Sequence, residues 1–216
     1  MKVIGITGAS GSGKTTISDI LKVRNDIKIL NADKMAKELT NQGSEYFMEI
    51  KRVFSDEEII LEDGSLNRPK LAKLICDNKE NLSKLNNITL KFLIPQIVDE
   101  IKNVTDNIKI VIIDAPLLFE FGLDKYCDFI VTLCVPDELK VRRICKRDNI
   151  SRQKAQDRLN IQNTNEFYER KSDYVITNDE NTTIENLKIQ INTIIDEILK
   201  WEVMHILANL SSWLFM

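Results

Sequence analysis

The chain has 216 residues, 43% of them hydrophobic and 29% charged, and its 30 basic against 33 acidic side chains leave a formal net charge of -3. That length suits one sizeable α/β domain with room for a small inserted subdomain. The near balance of charge excludes a protein that coats nucleic acid or a membrane through bulk electrostatics, so any anion chemistry is local.

The opening run Met1-Lys2-Val3-Ile4-Gly5-Ile6-Thr7-Gly8 is too short for a signal-peptide core or a membrane span, and a cytoplasmic location is expected. Cys76, Cys127, Cys134 and Cys145 show no C-x-x-C spacing, and His205 is the single histidine. This excludes the common Cys/His zinc clusters and a Ser-His-Asp triad in the middle of the chain; four reduced, mostly buried thiols are expected.

Short β-branched runs alternate with stretches of helical spacing, the pattern of a parallel sheet flanked by helices. Strands are predicted at Val3 to Thr7, Ile27 to Asn31, Ile108 to Ile113, Phe129 to Cys134 and Tyr174 to Thr177. Between Asp33 and Asn107 only helical segments occur, at Tyr46 to Phe54, Pro69 to Cys76 and Leu82 to Lys102. Such a length is too great for a simple crossover and predicts a helical insertion that closes over a substrate. Asp63-Gly64-Ser65 marks a turn, Pro69 is placed at the first position of a helix, and Pro95 is expected to kink or divide the longest one.

A second helical block runs from Pro136 to Lys171, and Lys140 to Arg158 holds eight Lys or Arg against only Asp148 and Asp157. From Thr182 to Trp201 the spacing of Ile184, Leu187, Ile191, Ile194, Ile195 and Ile198 predicts an amphipathic helix on the sheet. The apolar tail Val203 to Met216 reads as a docked C-terminal helix. The expected organisation is a single α/β domain over 1–200, with core segments 1–33, 108–136 and 173–200, a helical region at 34–107, a lid at 137–172 and a tail at 201–216.

Gly8-Ala9-Ser10-Gly11-Ser12-Gly13-Lys14-Thr15 matches G-x-x-x-x-G-K-[ST] in full, directly after a predicted strand and before the apolar helical spacing of Ile17, Ile20 and Leu21. Glycines let the loop backbone wrap an anion, so that its N–H groups and the positive end of the next helix converge on the α- and β-phosphates of a nucleotide. Lys14 then reaches the β- and γ-phosphates and the Thr15 hydroxyl takes Mg²⁺. Asp33 follows the second strand, where its carboxylate would serve as a base toward an acceptor hydroxyl or as the N-cap of a helix over Lys34 to Leu39. Asp114 ends the third strand and reads either as a Mg²⁺ partner acting through water or as a cap for the turn before Pro116. In the basic block Arg143 and Arg147 share a helix face, with Arg152 and Arg158 on the next segment. They read as guanidinium groups on a flap that neutralise a transferred phosphoryl group, or as a solvated face.

Beyond the loop, the chain resembles the dephospho-CoA kinase family. The residues concerned are Asn31-Ala32-Asp33-Lys34-Met35-Ala36, Asp63 to Arg68, Leu85-Asn86-Asn87-Ile88-Thr89 and Pro116-Leu117-Leu118-Phe119-Glu120. Arg143, Arg147-Asp148, Ser151-Arg152, Ala155, Arg158, Gln162 and Asp173 to Asn178 complete the set. The resemblance implies an adenylate-kinase-like α/β fold with a five-stranded parallel sheet and transfer of the ATP γ-phosphoryl to the ribose 3′-hydroxyl of dephospho-CoA. It implies Asp33 as base, Lys14, Arg143 and Arg147 in catalysis, and ATP held by Gly8 to Thr16, with Asn178 near the adenine. It places acceptor contacts at Asp33, Arg68, Leu117 and Glu120, and Mg²⁺ at Thr15 and Asp114. From the charge balance no nucleic-acid or membrane partner is expected, and a monomer or weak homo-oligomer is expected. The chain departs from the pattern at Leu90-Lys91, where the family has His-Pro, and at Asp179-Glu180-Asn181, where glycine is common; its loop opening is also like that of uridine kinases. Another small-molecule kinase, such as a nucleoside kinase, and a non-catalytic ATP-binding protein are the alternative readings.

Overall fold

Five short runs rich in Val and Ile form the strands: β1 (Lys2–Thr7), β2 (Ile27–Asn31), β3 (Ile110–Asp114), β4 (Phe129–Cys134) and β5 (Tyr174–Thr177). The structure is a computed structural model that describes residues 1–41 and 43–214, with the side chains of residues 56, 76, 77 and 201–214 outside the description. Hydrogen bonding orders the strands β2-β3-β1-β4-β5. All five residues of β3 are buried, as expected for a strand covered on both faces. The third strand starts at Ile110 and ends on Asp114, two residues later at its start and one later at its end than the apolar run predicts. Ile108 instead closes a turn through its N–H to Thr105 O.

The chain forms two compact units, one of 1–5 and 25–128, the other of 6–24 and 129–216. In the first, β2 pairs parallel with β3, with Asn31 opposite Asp114 at the strand ends. Helices α2 (Ala32–Leu39), α3 (Glu45–Val53), α4 (Arg68–Asp77) and α5 (Lys79–Lys102) fill the predicted helical region, whose extended backbone is limited to one antiparallel bridge, Ile60 to Leu66, among the described residues. The bridge is turned by Asp63-Gly64-Ser65, where the Asp63 carboxylate accepts from Ser65 N at 2.9 Å. Tyr46, Ile50, Phe54, Ile59, Leu71 and Ile88 pack into a local core. Burying such side chains stabilises by roughly 1.5–3 kcal/mol each.

Two helix expectations are corrected. Asn67 caps α4, accepting from Lys70 N at 3.1 Å, so the helix begins at Arg68 and Pro69 takes its second position. Helix α5 runs unbroken through Pro95, so the proline does not divide it. The proline leaves the Lys91 carbonyl without its i+4 donor, and both residues are exposed, so water can take up that carbonyl.

In the second unit β4 pairs parallel with β5, with Cys134 opposite Thr177. Helix α1 (Lys14–Leu21) follows the glycine loop, and α6 (Asp137–Asp148), α7 (Arg152–Asn160) and α8 (Asn165–Lys171) build the basic block. Helix α9 (Ile184–Leu214) buries Leu187, Ile191, Ile194, Ile195 and Ile198, whereas Ile184, expected on that face, is 68% exposed at the first helical position. The side chains of the apolar tail, His205 included, lie outside the described residues, as does that of Cys76; Cys127, Cys134 and Cys145 are free thiols. No described helix is long and apolar enough to cross a membrane.

Candidate active site

Strand β1 delivers the chain into the loop Gly8 to Gly13, and two of its glycines are required by close approach as well as by conformation. Gly8 has φ +134°, and a Cβ there would lie 2.6 Å from the Leu133 carbonyl oxygen; Gly13 has φ +103°, and a Cβ there would lie 2.5 Å from Asn178 Nδ2. Gly13 stands at the N-cap of α1 and offers no side chain to the first turn. The helix therefore opens with N–H groups that no capping side chain satisfies and with the positive end of its dipole.

Four loop carbonyls accept from side chains. Lys14 Nζ donates to Gly8 O at 2.5 Å and to Ala9 O at 3.2 Å. Arg143 donates to Gly11 O at 3.3 Å, and Asn178 Nδ2 to Ser12 O at 2.8 Å. The negative ends of these peptides are thus compensated, two of the donors bring full positive charge, and the balance of the loop favours an anion. Ser12 Oγ, in a residue only 1% exposed, is one of two buried side-chain polar atoms without a hydrogen-bond partner among the described residues. An orphan of this kind in a glycine loop at a helix start fits a nucleotide phosphate. Beside α1, a groove of about 260 Å³ is lined by Gly13, Thr16, Arg143, Asn178, Ile184 and Leu187, among others. Its mix of aliphatic wall and amide suits a flat heteroaromatic base.

The arginines of the basic block are not one class. Arg143 donates to Gly11 O and, at 3.2 Å, to Asn178 Oδ1, and has no carboxylate partner among the described residues; burial, then the neighbouring Arg142, pushes its pKa down. Arg147 reaches Ser10 Oγ at 3.3 Å while its Nε and Nη2 hold Asp148 at 2.7 and 2.9 Å. These bonds hold the Asp148 carboxyl far below the usual carboxylate range, with Arg158 adding a second contact. Arg152 grips Glu138 at 2.6 and 2.5 Å, and Arg142 pairs with Glu180, one of the residues where the family pattern has glycine nearby. Arg143 and Arg147 therefore lie on the loop, while Arg152 and Arg158 brace the basic block.

In the first unit the N-cap of α2 is Asn31, whose Oδ1 accepts from Lys34 N at 2.8 Å, so Asp33 is not the cap. Asparagine occupies the extended position that capping needs, and Asp33 falls inside the first turn with its carboxylate exposed. The same Asn31 donates through Nδ2 to Asp114 Oδ2 at 3.0 Å. Asp114 is 4% exposed at the end of β3, and one asparagine thus ties α2 to it. Arg68 is exposed and donates to Thr40 Oγ1, just past α2. Half-buried Leu117 and exposed Glu120 follow in the turn after β3.

Gln162 is a loop contact to which no sequence pattern assigned a role: its Oε1 accepts from Ser10 N at 2.8 Å, across 152 residues. Asn31 likewise carried no expected role, although an Asn ending a strand before Ala-Asp-Lys is itself a capping signal.

The family profile described as Dephospho-CoA kinase matches residues 2–184. A dephospho-CoA kinase of Pseudoalteromonas translucida is 35% identical over 182 residues, covering 84% of this chain and 85% of its own. One of Fusobacterium nucleatum is 36% identical over 181 residues, covering 83% and 90%. Among solved structures, the dephospho-CoA kinase from Campylobacter jejuni superposes with a TM-score of 0.68 at 25% identity over 93% of this chain and 98% of that one. With a five-stranded P-loop α/β fold and these relatives, the chain belongs to the dephospho-CoA kinase family and is an ATP-dependent kinase.

Proposed function

We propose that the protein transfers the γ-phosphoryl group of ATP to the ribose 3′-hydroxyl of dephospho-CoA, the final step of coenzyme A synthesis. The observation that carries the donor half is the loop itself, with its compensated carbonyls, its uncapped helix start and the orphaned Ser12 hydroxyl. In this reading the backbone of Gly8 to Thr16 holds the phosphates, and Lys14 leaves the Gly8 and Ala9 carbonyls for the β- and γ-oxygens. The groove beside Asn178 takes the adenine. Arg143, held only by a carbonyl and an amide, is the guanidinium that moves to the phosphoryl oxygens at least cost, and Arg147 remains tethered to Asp148.

The acceptor half is assigned to Asp33, Arg68, Leu117 and Glu120. Asp33 takes the proton of the 3′-hydroxyl as its oxygen bonds to the γ-phosphorus, while the bond from that phosphorus to the bridging oxygen breaks and ADP leaves with the electron pair. Asn31, not Asp33, caps α2, and the Asp33 carboxylate is exposed in the first turn, where an alcohol can reach it. Positioning and electrostatics provide most of the acceleration in such transfers. The Thr15 hydroxyl and the Asp114 carboxylate, the latter through water, are the residues that would hold Mg²⁺. Both are hard oxygen donors, and a set this small suits an ion that keeps several waters. When bound, the ion supplies charge neutralisation on the phosphates. A cytoplasmic location and a monomer or weak homo-oligomer complete the proposal.

An acceptor panel of dephospho-CoA, uridine and cytidine with radiolabelled ATP tests the reading. Labelled coenzyme A is the expected product, and label in a nucleotide monophosphate instead would overturn it. Asp33→Asn is expected to bind both substrates and lose turnover; near-normal turnover would remove Asp33 from the role of base.

A further inference from the structure

The kinase reading leaves one loop contact without a role. Ser10 is held twice from the basic block: Arg147 Nη2 donates to its hydroxyl at 3.3 Å, and Gln162 Oε1 accepts from its backbone N–H at 2.8 Å. The orientation of the Gln162 amide is set by chemistry, since only Oε1 can meet a backbone N–H. We propose that Gln162 is a positioning residue for phosphoryl transfer: it orients the Ser10 peptide at the γ-phosphate end of the loop and couples that peptide to the basic lid. This inference rests on the donor half of the proposed function.

Two observations place Ser10 at that end. It lies four residues before α1, on the strand side of the loop, whereas the first turn of α1 is the part that takes the α- and β-phosphates. It also adjoins Gly8 and Ala9, whose carbonyls hold the Lys14 ammonium, the group that reaches the β- and γ-phosphates. The segment that carries Gln162 is itself anchored. Gln162 N donates to Leu159 O at 2.9 Å, continuing the end of α7. Three residues on, Asn165 Nδ2 donates to Val135 O at 2.9 Å and Asn165 Oδ1 accepts from Lys140 Nζ at 3.1 Å. Lys140 is only 3% exposed, and this pin fastens the start of α8 to the end of β4 and to α6. Gln162 therefore reaches the loop from a short link held at both sides, which is what a positioning contact requires. Its Nε2 donors have no protein partner among the described residues, so the side chain is committed to Ser10 alone.

The test uses the full chain and two variants, Gln162→Met, which keeps length without the acceptor, and Gln162→Glu, which keeps an acceptor. In nucleotide-free wild type the Ser10 amide is expected to exchange slowly with solvent deuterium. Q162M is expected to speed that exchange and to lower kcat/KM for ATP by about 3- to 10-fold, the factor one neutral hydrogen bond is worth. Its ATP dissociation constant should rise while that for ADP stays within about two-fold, because Ser10 serves only the γ end. Q162E should restore Ser10 protection. Rapid Ser10 exchange in wild type, unchanged exchange in Q162M, or equal weakening of ATP and ADP would each overturn the proposal, the last by showing a merely structural role. Should wild type fail to phosphorylate dephospho-CoA, the acceptor reading falls, while exchange and the ATP/ADP comparison still decide on Gln162.

Discussion

Replacing Asn178 with alanine removes two hydrogen bonds at once from the point where α6, β5 and the phosphate loop meet. The residue is 4% exposed; its Nδ2 donates to Ser12 O at 2.8 Å and its Oδ1 accepts from Arg143 at 3.2 Å. A neutral bond contributes about 0.5–1.5 kcal/mol and a bond from a charged donor about 1.5–3 kcal/mol, so Asn178→Ala is expected to destabilise by about 2–4 kcal/mol. For a chain of this size that corresponds to a Tm lower by roughly 5–15 °C in thermal denaturation followed by circular dichroism. The variant also leaves Arg143 anchored by Gly11 O alone, and a double-mutant cycle with Arg143→Met should return a coupling energy of about 1–2 kcal/mol. A Tm within about 1 °C of wild type, or strict additivity of the two substitutions, would refute the view that Asn178 ties Arg143 to the loop.

Gly13→Ala should cost ATP binding more than 100-fold by equilibrium titration, because the new Cβ would sit 2.5 Å from Asn178 Nδ2 at a φ of +103° that alanine resists; binding within ten-fold would contradict this. In the first unit Thr89 spends its one hydroxyl hydrogen on Leu85 O at 2.9 Å, so the Tyr46 hydroxyl is the donor in their 3.0 Å contact. Tyr46→Phe should therefore cost only about 1 kcal/mol in urea unfolding, and Thr89→Val, which strands a buried phenol, about 1–3 kcal/mol; the reverse order would exclude this donor assignment. Burial, followed by the charge of Glu169, pushes the Cys134 thiol up to about 12. The folded state then keeps a proton that the unfolded chain releases near pH 8.5–9. Stability is fully present below that pH and falls by at most about 1.4 kcal/mol per pH unit as pH rises toward 12. Unfolding curves from pH 7 to 10.5 should show the fall diminished in Cys134→Ala, and an identical slope would remove Cys134 as its source. Acidification acts in the opposite sense at Asp148, whose carboxyl is held low first by Arg147: its contribution is complete above about pH 4 and is lost below it. Asp148→Asn is therefore expected to flatten the loss of stability between about pH 4 and pH 2 in urea unfolding, and an unchanged acid limb would argue against the Arg147–Asp148 tether.

The features legible in the amino-acid order are those governed by neighbours along the chain. The runs at Ile27 to Asn31, Phe129 to Cys134 and Tyr174 to Thr177 are strands at the expected residues, because β-branched side chains buried on both faces signal themselves locally. The loop from Gly8 to Thr15 was readable for the same reason, since its conformation is a matter of glycines at fixed offsets before a helix. Which polar group satisfies which was not readable. Asn31 rather than Asp33 caps α2, Arg143 and Arg147 hold the loop while Arg152 and Arg158 pair with Glu138 and Asp148, and Gln162 takes the Ser10 N–H. A guanidinium or an amide finds its partner by distance in space, and a separation of 152 residues between donor and acceptor leaves no periodicity for the sequence to display.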